Sequence, residues 1–278
     1  MDDSGLRARA RFAALAERGE DAIPLADAAL LIAAEEYPRL DVPAYLARLD
    51  TIADQVREDV DNAPSPRAAA RILARFLHDD EGFRGNAADY YDPRNSFLNE
   101  VLDRRLGIPI SLSIVYIEVA RRLGLAVQGI GLPGHFMVRV VESGTYVDPF
   151  TGGTDLDDAD CAAHVRELYG EQFTFERSML AAHSNREILA RVLRNLVEIY
   201  RSRGDARRAL SAVDRIVLLL PESPRLRRER AALLTQMGEY QRALADLRDL
   251  GRLQPSRRRG ERFRAWRRFV EEMSARMN

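Results

Sequence analysis

The sequence predicts an α+β protein in two parts: a helical N-terminal region that leads into a core with a small antiparallel sheet, followed by all-α helical repeats. The chain of 278 residues is 46% hydrophobic and 31% charged, which is typical of a folded protein. Helical spacing of apolar residues dominates both ends, and only the middle shows the short runs and glycine-containing turns of strands. We expect the two parts to cover residues 1–182 and 183–278.

The C-terminal part contains two copies of a motif that are separated by 34 residues. Three positions recur at this spacing: Gly204 and Gly238, Ala209 and Ala243, Pro221 and Pro255. Glycine lets the chain turn between two helices, alanine lets them approach closely, and proline ends the second one. This period is typical of tetratricopeptide repeats. A last helix over 260–277, with Trp266 on its buried face, is expected to cap them.

The N-terminal part begins with helices and changes its period near residue 127. The apolar spacing predicts helices over 25–36, 43–60, 66–77, 96–105 and 109–123, with Ser96 as the N-cap of the fourth. Three short strands are predicted over 127–131, 135–141 and 145–148. Ser143-Gly144 is interpreted as a two-residue turn between the last two strands. That turn would place Asp148 opposite Arg139, four residues out of register from His135.

Charge is divided unevenly along the chain. Residues 1–200 hold 22 arginines and 33 acidic residues, whereas residues 201–278 hold 20 arginines and 10 acidic residues, and there is no lysine. The run Arg257-Arg258-Arg259 is the densest basic segment of the repeats. A basic helical surface suits an acidic protein or peptide, and nucleic acid is the alternative partner.

Several classes of protein do not fit this composition. The single cysteine excludes an internal disulfide framework and a zinc site built on several thiolates, and it indicates a reducing compartment. We see neither a signal peptide nor an apolar stretch long enough to span a membrane, so a cytoplasmic location is expected. No metal or cofactor motif is found. Cys161 itself is expected to be a buried structural thiol.

Chemistry could be carried by Ser111, Ser113, His135 and Asp148. A hydroxyl at the start of a buried helix would lie beside free backbone N–H groups that stabilise an oxyanion. A histidine on a neighbouring strand can act as its base, and an aspartate on the next strand can orient that base. Asn95 and Asn99 belong to a loop and helix start that could face the same site.

The stretch 90–153 contains YYDPRNSFLNEVLDRRLGIPISLSIVYIEVARRLGL, GLPGHFMVRV and YVDPFTGG, and it resembles the transglutaminase-like domain of the bacterial Sir-B-one family. In that family this domain is joined to C-terminal tetratricopeptide repeats. The resemblance implies a papain-like core whose superfamily uses cysteine, histidine and aspartate in that order. His135 and Asp148 match the last two. The cysteine is missing, and its position corresponds to Pro109, or to Ser111 if one gap is allowed.

The leading hypothesis is therefore a protein-interaction or regulatory protein, a pseudoenzyme whose degenerate core binds while its arginine-rich repeats recruit an acidic partner. The alternative is a hydrolase or acyl transferase that uses Ser111 with His135 and Asp148. A third hypothesis is nucleic-acid binding through the basic C-terminal tail.

Overall fold

The computed structural model describes residues 3–19, 22–170, 172–255 and 260–277. The chain divides into two compact units, Met1–Val192 and Leu193–Asn278. Within the described residues, no helix combines the length and the apolar character that crossing a membrane requires.

The N-terminal unit opens with helices, whose starts follow from their sequence. They are α1 (Asp3–Ala16), α2 (Leu25–Ala34), α3 (Val42–Asp61) and α4 (Pro66–Arg75). Asp41 caps α3 by accepting a hydrogen bond from the Ala44 N–H, and Ser65 caps α4 by accepting from the Ala68 N–H. A π-helical turn, Phe76–Asp80, follows α4.

The core of this unit surrounds α6 (Pro109–Arg122), whose residues from Pro109 to Ala120 are all buried. Before it come α5 (Leu98–Arg104) and two short strands, β1 (Arg84–Gly85) and β2 (Leu106–Gly107), which pair in parallel.

The predicted N-cap Ser96 is wrong, because a 3-10 turn, Pro93–Ser96, precedes α5 and Phe97 takes the N-cap position. Asp92 accepts from the Arg94 N–H and so starts the helical turn four residues early.

A five-stranded antiparallel sheet packs beside α6 in the order β6-β5-β4-β3-β7. Its strands are β3 (Val127–Ile130), β4 (Met137–Val140), β5 (Tyr146–Asp148), β6 (Thr154–Leu156) and β7 (Ala182–His183). The three predicted strands are the central ones, and the predicted small antiparallel sheet is confirmed. Helix α7 (Asp158–Tyr169) connects β6 to the segment before β7.

The register of β4 and β5 corrects the predicted turn. Val138 pairs with Val147, and the Val140 N–H donates to the Thr145 carbonyl. The connection therefore has four residues, 141–144, instead of two. This longer turn moves Asp148 opposite Met137, two residues from His135 and not four.

The C-terminal unit is all-α, as predicted. The division between the two units falls within α8 (Asn185–Ser202). The helices that follow are α9 (Ala206–Leu219), α10 (Pro224–Gln236), α11 (Tyr240–Leu253) and α12 (Glu261–Arg276). Gly204 and Gly238 both have positive φ, 71° and 76°, at equivalent helix ends, which explains why glycine recurs there. Trp266 is half-buried and its Nε1–H donates to the Thr235 hydroxyl at 3.3 Å.

Candidate functional site

His135 and Asp148 form a buried pair. The His135 Nε2 atom lies 2.9 Å from Asp148 Oδ2, and the two side chains are only 6% and 3% exposed. His135 follows a tight turn in which Gly134 has φ +70° and the His135 N–H bonds back to the Leu132 carbonyl. This turn, rather than a continuous strand, aims the ring at the end of β5.

Asp148 is held by three donors. In addition to His135, the Phe150 N–H donates to Oδ1 at 3.0 Å and the Thr151 hydroxyl donates to Oδ2 at 2.9 Å. Burial alone would raise the pKa of Asp148, but these hydrogen bonds and the neighbouring His135 hold it below its ordinary value. The carboxylate therefore stays ionised and fixes the imidazole.

The Ser111 hydroxyl is bonded to neither member of this pair. Its hydroxyl donates to the Asn95 carbonyl at 2.6 Å and accepts from the Ile108 N–H at 3.0 Å, and the residue is only 1% exposed. A Cβ on Gly107 would lie 2.7 Å from this hydroxyl, so glycine is needed where the chain enters α6. The structure thus brings His135 and Asp148 together and directs Ser111 towards the loop before α5.

The other two candidates at the start of α6 are also buried. Pro109 takes the first helical turn, where its missing N–H costs nothing, and it offers no nucleophilic atom. The Ser113 hydroxyl lies 3.5 Å from the Phe136 carbonyl, at the limit of a hydrogen bond. This contact places Ser113 beside the residue that directly follows His135.

Asn95 and Asn99 differ in their surroundings. Asn95 is buried, and its amide donates to the Asp89 carbonyl at 2.7 Å while its Oδ1 accepts from Asn86 at 3.0 Å. It closes the loop before α5. Asn99 is also buried, and its Oδ1 has no hydrogen-bond partner among the described residues.

Two residues beside His135 were not predicted from the sequence. The His164 ring on α7 lies 4.5 Å from the His135 ring, and burial, then the charge of His135, lower the pKa of His164. Arg191 on α8 donates from Nη2 to the Leu132 and His135 carbonyls, both at 2.6 Å. Nothing in the sequence around Arg191 distinguishes it from the other arginines among the 42 in the chain.

Two further sequence predictions concern Cys161 and the basic run of the repeats. Cys161 is buried with its Sγ 3.8 Å from Met137 Sδ, and burial raises the pKa of its thiol to about 12. Arg257, Arg258 and Arg259 lie outside the described residues. Among the residues that the structure does describe, no group of three His, Cys, Asp or Glu side chains is arranged to hold a metal ion.

Comparison with known proteins supports the two-part architecture. Residues 43–194 match the transglutaminase-like superfamily, and residues 196–268 match the tetratricopeptide repeat. The chain belongs to the transglutaminase-like superfamily. A relative from Xylella fastidiosa named UPF0162 protein is 39% identical over 247 residues, covering 87% of this chain and 88% of the relative.

Two further relatives extend the comparison. UPF0162 protein PA3419 of Pseudomonas aeruginosa is 33% identical over 213 residues, which is 77% of this chain and 78% of that protein. F-box only protein 21 of Mus musculus is 31% identical over 138 residues, which is 46% of this chain and 21% of that protein. No solved structure matches the chain. A transglutaminase-like domain joined to tetratricopeptide repeats indicates a role in protein interaction.

Proposed function

We propose that this protein is an interaction or regulatory protein of the Sir-B-one type, in which the transglutaminase-like core binds without catalysis and the arginine-rich repeats hold an acidic protein partner. The observation that carries the proposal is the start of α6. Pro109 supplies no nucleophile there, and the hydroxyl of Ser111 is engaged by Asn95 and Ile108. A cytoplasmic location, based on the single thiol, is part of the same proposal.

The remaining His135–Asp148 pair has a sufficient structural role. Asp148 accepts two hydrogen bonds from the loop that follows β5, and its third, from His135, joins that loop to the turn before β4. A buried, satisfied network of this kind rigidifies its surroundings. This structural role is a sufficient reason for the His135–Asp148 pair to be present without the cysteine, and no catalysed reaction has to be assumed.

The charges of the repeats fall into two groups. In the first group, arginines are paired with acidic residues inside the unit, as Arg194 is with Glu229 and Arg230 is with Asp246. In the second group, exposed arginines have no carboxylate partner among the described residues: Arg207, Arg225, Arg228, Arg248, Arg262, Arg264 and Arg268.

Arg225 and Arg228 illustrate the second group. They lie three residues apart on α10, so their side chains are neighbours on one helix face. Uncompensated like charges that are close together repel each other, and an acidic segment would relieve this repulsion. The pair therefore favours a carboxylate-rich partner.

The test uses a fluorescent 16-residue glutamate–alanine peptide and the full-length protein. We expect Arg225→Glu/Arg228→Glu to weaken binding about tenfold, and neutralising Arg257, Arg258 and Arg259 to weaken it too. The double variant Arg39→Glu/Arg71→Glu changes net charge equally but alters exposed residues of the N-terminal unit, so it should bind normally. Equal loss in both double variants would reduce the effect to net charge and contradict the proposal.

The two alternatives have separate outcomes. Duplex DNA that competes with the peptide, and whose affinity falls steeply with salt, would favour nucleic-acid binding through the basic tail. The hydrolase or acyl transferase hypothesis is favoured by the 2.9 Å His135–Asp148 contact, but it requires Ser111 to leave Asn95. Labelling by a fluorophosphonate that disappears in Ser111→Ala would support it, whereas His135→Ala with intact peptide binding would support the proposal.

A further inference from the structure

Exposed aromatic and apolar side chains gather around the turn that carries His135. Large apolar residues with more than a third of their surface exposed include four near this turn: Tyr90 at 36%, Tyr91 at 69%, Leu168 at 51% and Tyr169 at 45%. We call these four residues, with Phe150, the aromatic rim. They come from three separate segments of the chain, so their proximity is a product of the fold.

Ring contacts connect the rim to His135. The Tyr90 ring lies 6.4 Å from the Phe150 ring, and the Phe150 ring lies 6.1 Å from the His135 ring in an edge-to-face arrangement. A Cβ added to Gly134 would be 3.0 Å from the Tyr169 hydroxyl and 3.3 Å from a Leu168 methyl. Phe150 therefore contacts the turn at His135, and Leu168 and Tyr169 lie beside it at Gly134.

Arg191 brings a positive charge to the same place. Its Nη2 is occupied by the Leu132 and His135 carbonyls, and its guanidinium lies 5.5 Å from the centre of the Phe136 ring. Within the described residues, neither Nε nor Nη1 has a hydrogen-bond partner and no carboxylate pairs with the group. Burial lowers the pKa of Arg191, while Tyr90 and Tyr169 act on it electrostatically.

A half-buried guanidinium without a counter-ion is unusual. Buried charges in proteins are normally paired, because removing a charge from water is costly. An anion that binds at Nε or Nη1 would supply the missing partner through a charge-assisted hydrogen bond. Exposed tyrosines beside such a charge are the residue types that dominate peptide interfaces.

We propose that Arg191 and the aromatic rim form a binding site for a peptide segment that carries a carboxylate, with an apolar side chain of the segment packed on the rim. This inference rests on the proposed function of the core as a binding domain and names its ligand class. It concerns the N-terminal unit alone, so it stands or falls separately from the arginine surface of the repeats. Because Nη2 is already occupied, the carboxylate is held by one nitrogen and not by a bidentate fork.

Two small probes that differ only at the charge test the site. N-acetyl-phenylalanine carries a ring and a carboxylate, and N-acetyl-phenylalaninamide carries the same ring without the charge. Each is titrated into the ¹⁵N-labelled full-length protein, and dissociation constants are taken from the amide shifts of Gly134 and His135. We expect the carboxylate to bind about tenfold more tightly than the amide.

Variants assign the preference to its residues. Arg191→Gln should reduce the ratio of the two affinities to about 1, because the charge is gone. Tyr169→Ala should weaken both probes and leave the ratio unchanged. The matched control is Arg186→Gln on the same helix, since Arg186 Nη2 also donates to two carbonyls, those of Ala16 and Arg18 at 2.9 and 2.8 Å, away from His135.

The remaining outcomes overturn the proposal. It is contradicted if the two probes bind with equal affinity, or if neither shifts the amide signals of Gly134 and His135. It is also contradicted if the preference for the carboxylate persists in Arg191→Gln. If Arg191→Gln does not fold, Gly131→Ala replaces it, since the added methyl would lie 2.6 Å from both Arg191 Nη1 and His183 Cε1 and would force the guanidinium to shift together with the His183 ring. An unchanged ratio there has the same meaning. Arg225→Glu/Arg228→Glu should leave the ratio intact, so failure of the repeat proposal would be seen separately.

Discussion

Replacing Asp148 by asparagine is expected to destabilise the N-terminal unit by about 1.5–3 kcal/mol, the range for a hydrogen bond to a charged group. Asparagine keeps the shape, and its Oδ1 can still accept from the Phe150 N–H. It removes the negative charge that His135 contacts at 2.9 Å and that the Thr151 hydroxyl also binds. Because the His135 and Asp148 side chains are 6% and 3% exposed, water cannot replace the lost bonds.

The protein contains a matched control for this change. His78 Nδ1 and Asp79 Oδ1 are 2.8 Å apart, close to the 2.9 Å between His135 and Asp148, but their side chains are 29% and 59% exposed. Solvent screens such a pair and hydrates either partner when the other is lost. Asp79→Asn is therefore expected to leave the unfolding midpoint nearly unchanged.

Urea unfolding followed by circular dichroism measures the difference between the two variants. Hydrogen exchange of peptides that cover β4 and β5 places the loss in the sheet. The single tryptophan, Trp266, lies in α12, so its fluorescence reports the repeats instead. Combining Asp148→Asn with His135→Gln gives a double-mutant cycle, in which we expect a coupling energy of about 1–3 kcal/mol.

The pH dependence supplies an independent check. The pKa of folded Asp148 lies below that of the unfolded chain, about 3.9, so its contribution is present above that pH and is lost as the pH falls through the folded pKa. Asp148→Asn should remove this part of the acid profile. Equal effects of Asp148→Asn and Asp79→Asn, or no coupling to His135, would refute the interpretation of the pair as a buried structural link.

Three further predictions concern other parts of the chain. Ser111→Ala should lower the free energy of unfolding by about 1–3 kcal/mol in urea titrations, because two buried backbone groups lose their partner. Cys161 should react with thiol reagents at pH 8 only on unfolding, since burial raises its pKa to about 12, and labelling in native buffer as fast as in urea would contradict this. Arg230→Ala should destabilise the repeats by about 3–5 kcal/mol by Trp266 fluorescence, because it leaves buried Asp246 without its closest partner, whereas Arg252→Ala on the surface should not.

The spacing of apolar residues and the residue types at helix ends predicted most of the fold. Most long helices were recognisable because their apolar stripes and their Asp, Ser, Pro and Gly ends are local signals, but α1 was not predicted. The edge strands β6 and β7 were missed, since two or three residues cannot display an alternation. The helix ends of the repeats were predicted from Gly204 and Gly238, and both glycines have positive φ in the structure.

The site was less predictable, for physical reasons that particular residues show. The length of the β4–β5 turn decides whether Asp148 reaches His135, and Ser143-Gly144 alone does not reveal that the turn has four residues. The direction of the Ser111 hydroxyl depends on a contact with Asn95, sixteen residues away, which no local pattern reports. Arg191 lies on an otherwise ordinary helix, and only the fold brings it to His135.

The charge of the repeats is less available than the composition suggests. Arg230 bonds both Asp214 and Asp246, and Arg242 bonds Asp214 again, so part of the basic excess is consumed inside the unit. Asp246 is 1% and Arg230 18% exposed, which makes this pair part of the packing, whereas Arg242 is 48% exposed but has its charge paired with Asp214. The exposed arginines without a carboxylate partner among the described residues are two on α10, Arg225 and Arg228, and five that are spread over α9, α11 and α12. Binding to a phosphate backbone strengthens with each additional arginine–phosphate contact along a row, whereas a short acidic segment needs only a few arginine–carboxylate contacts. This difference favours a peptide partner.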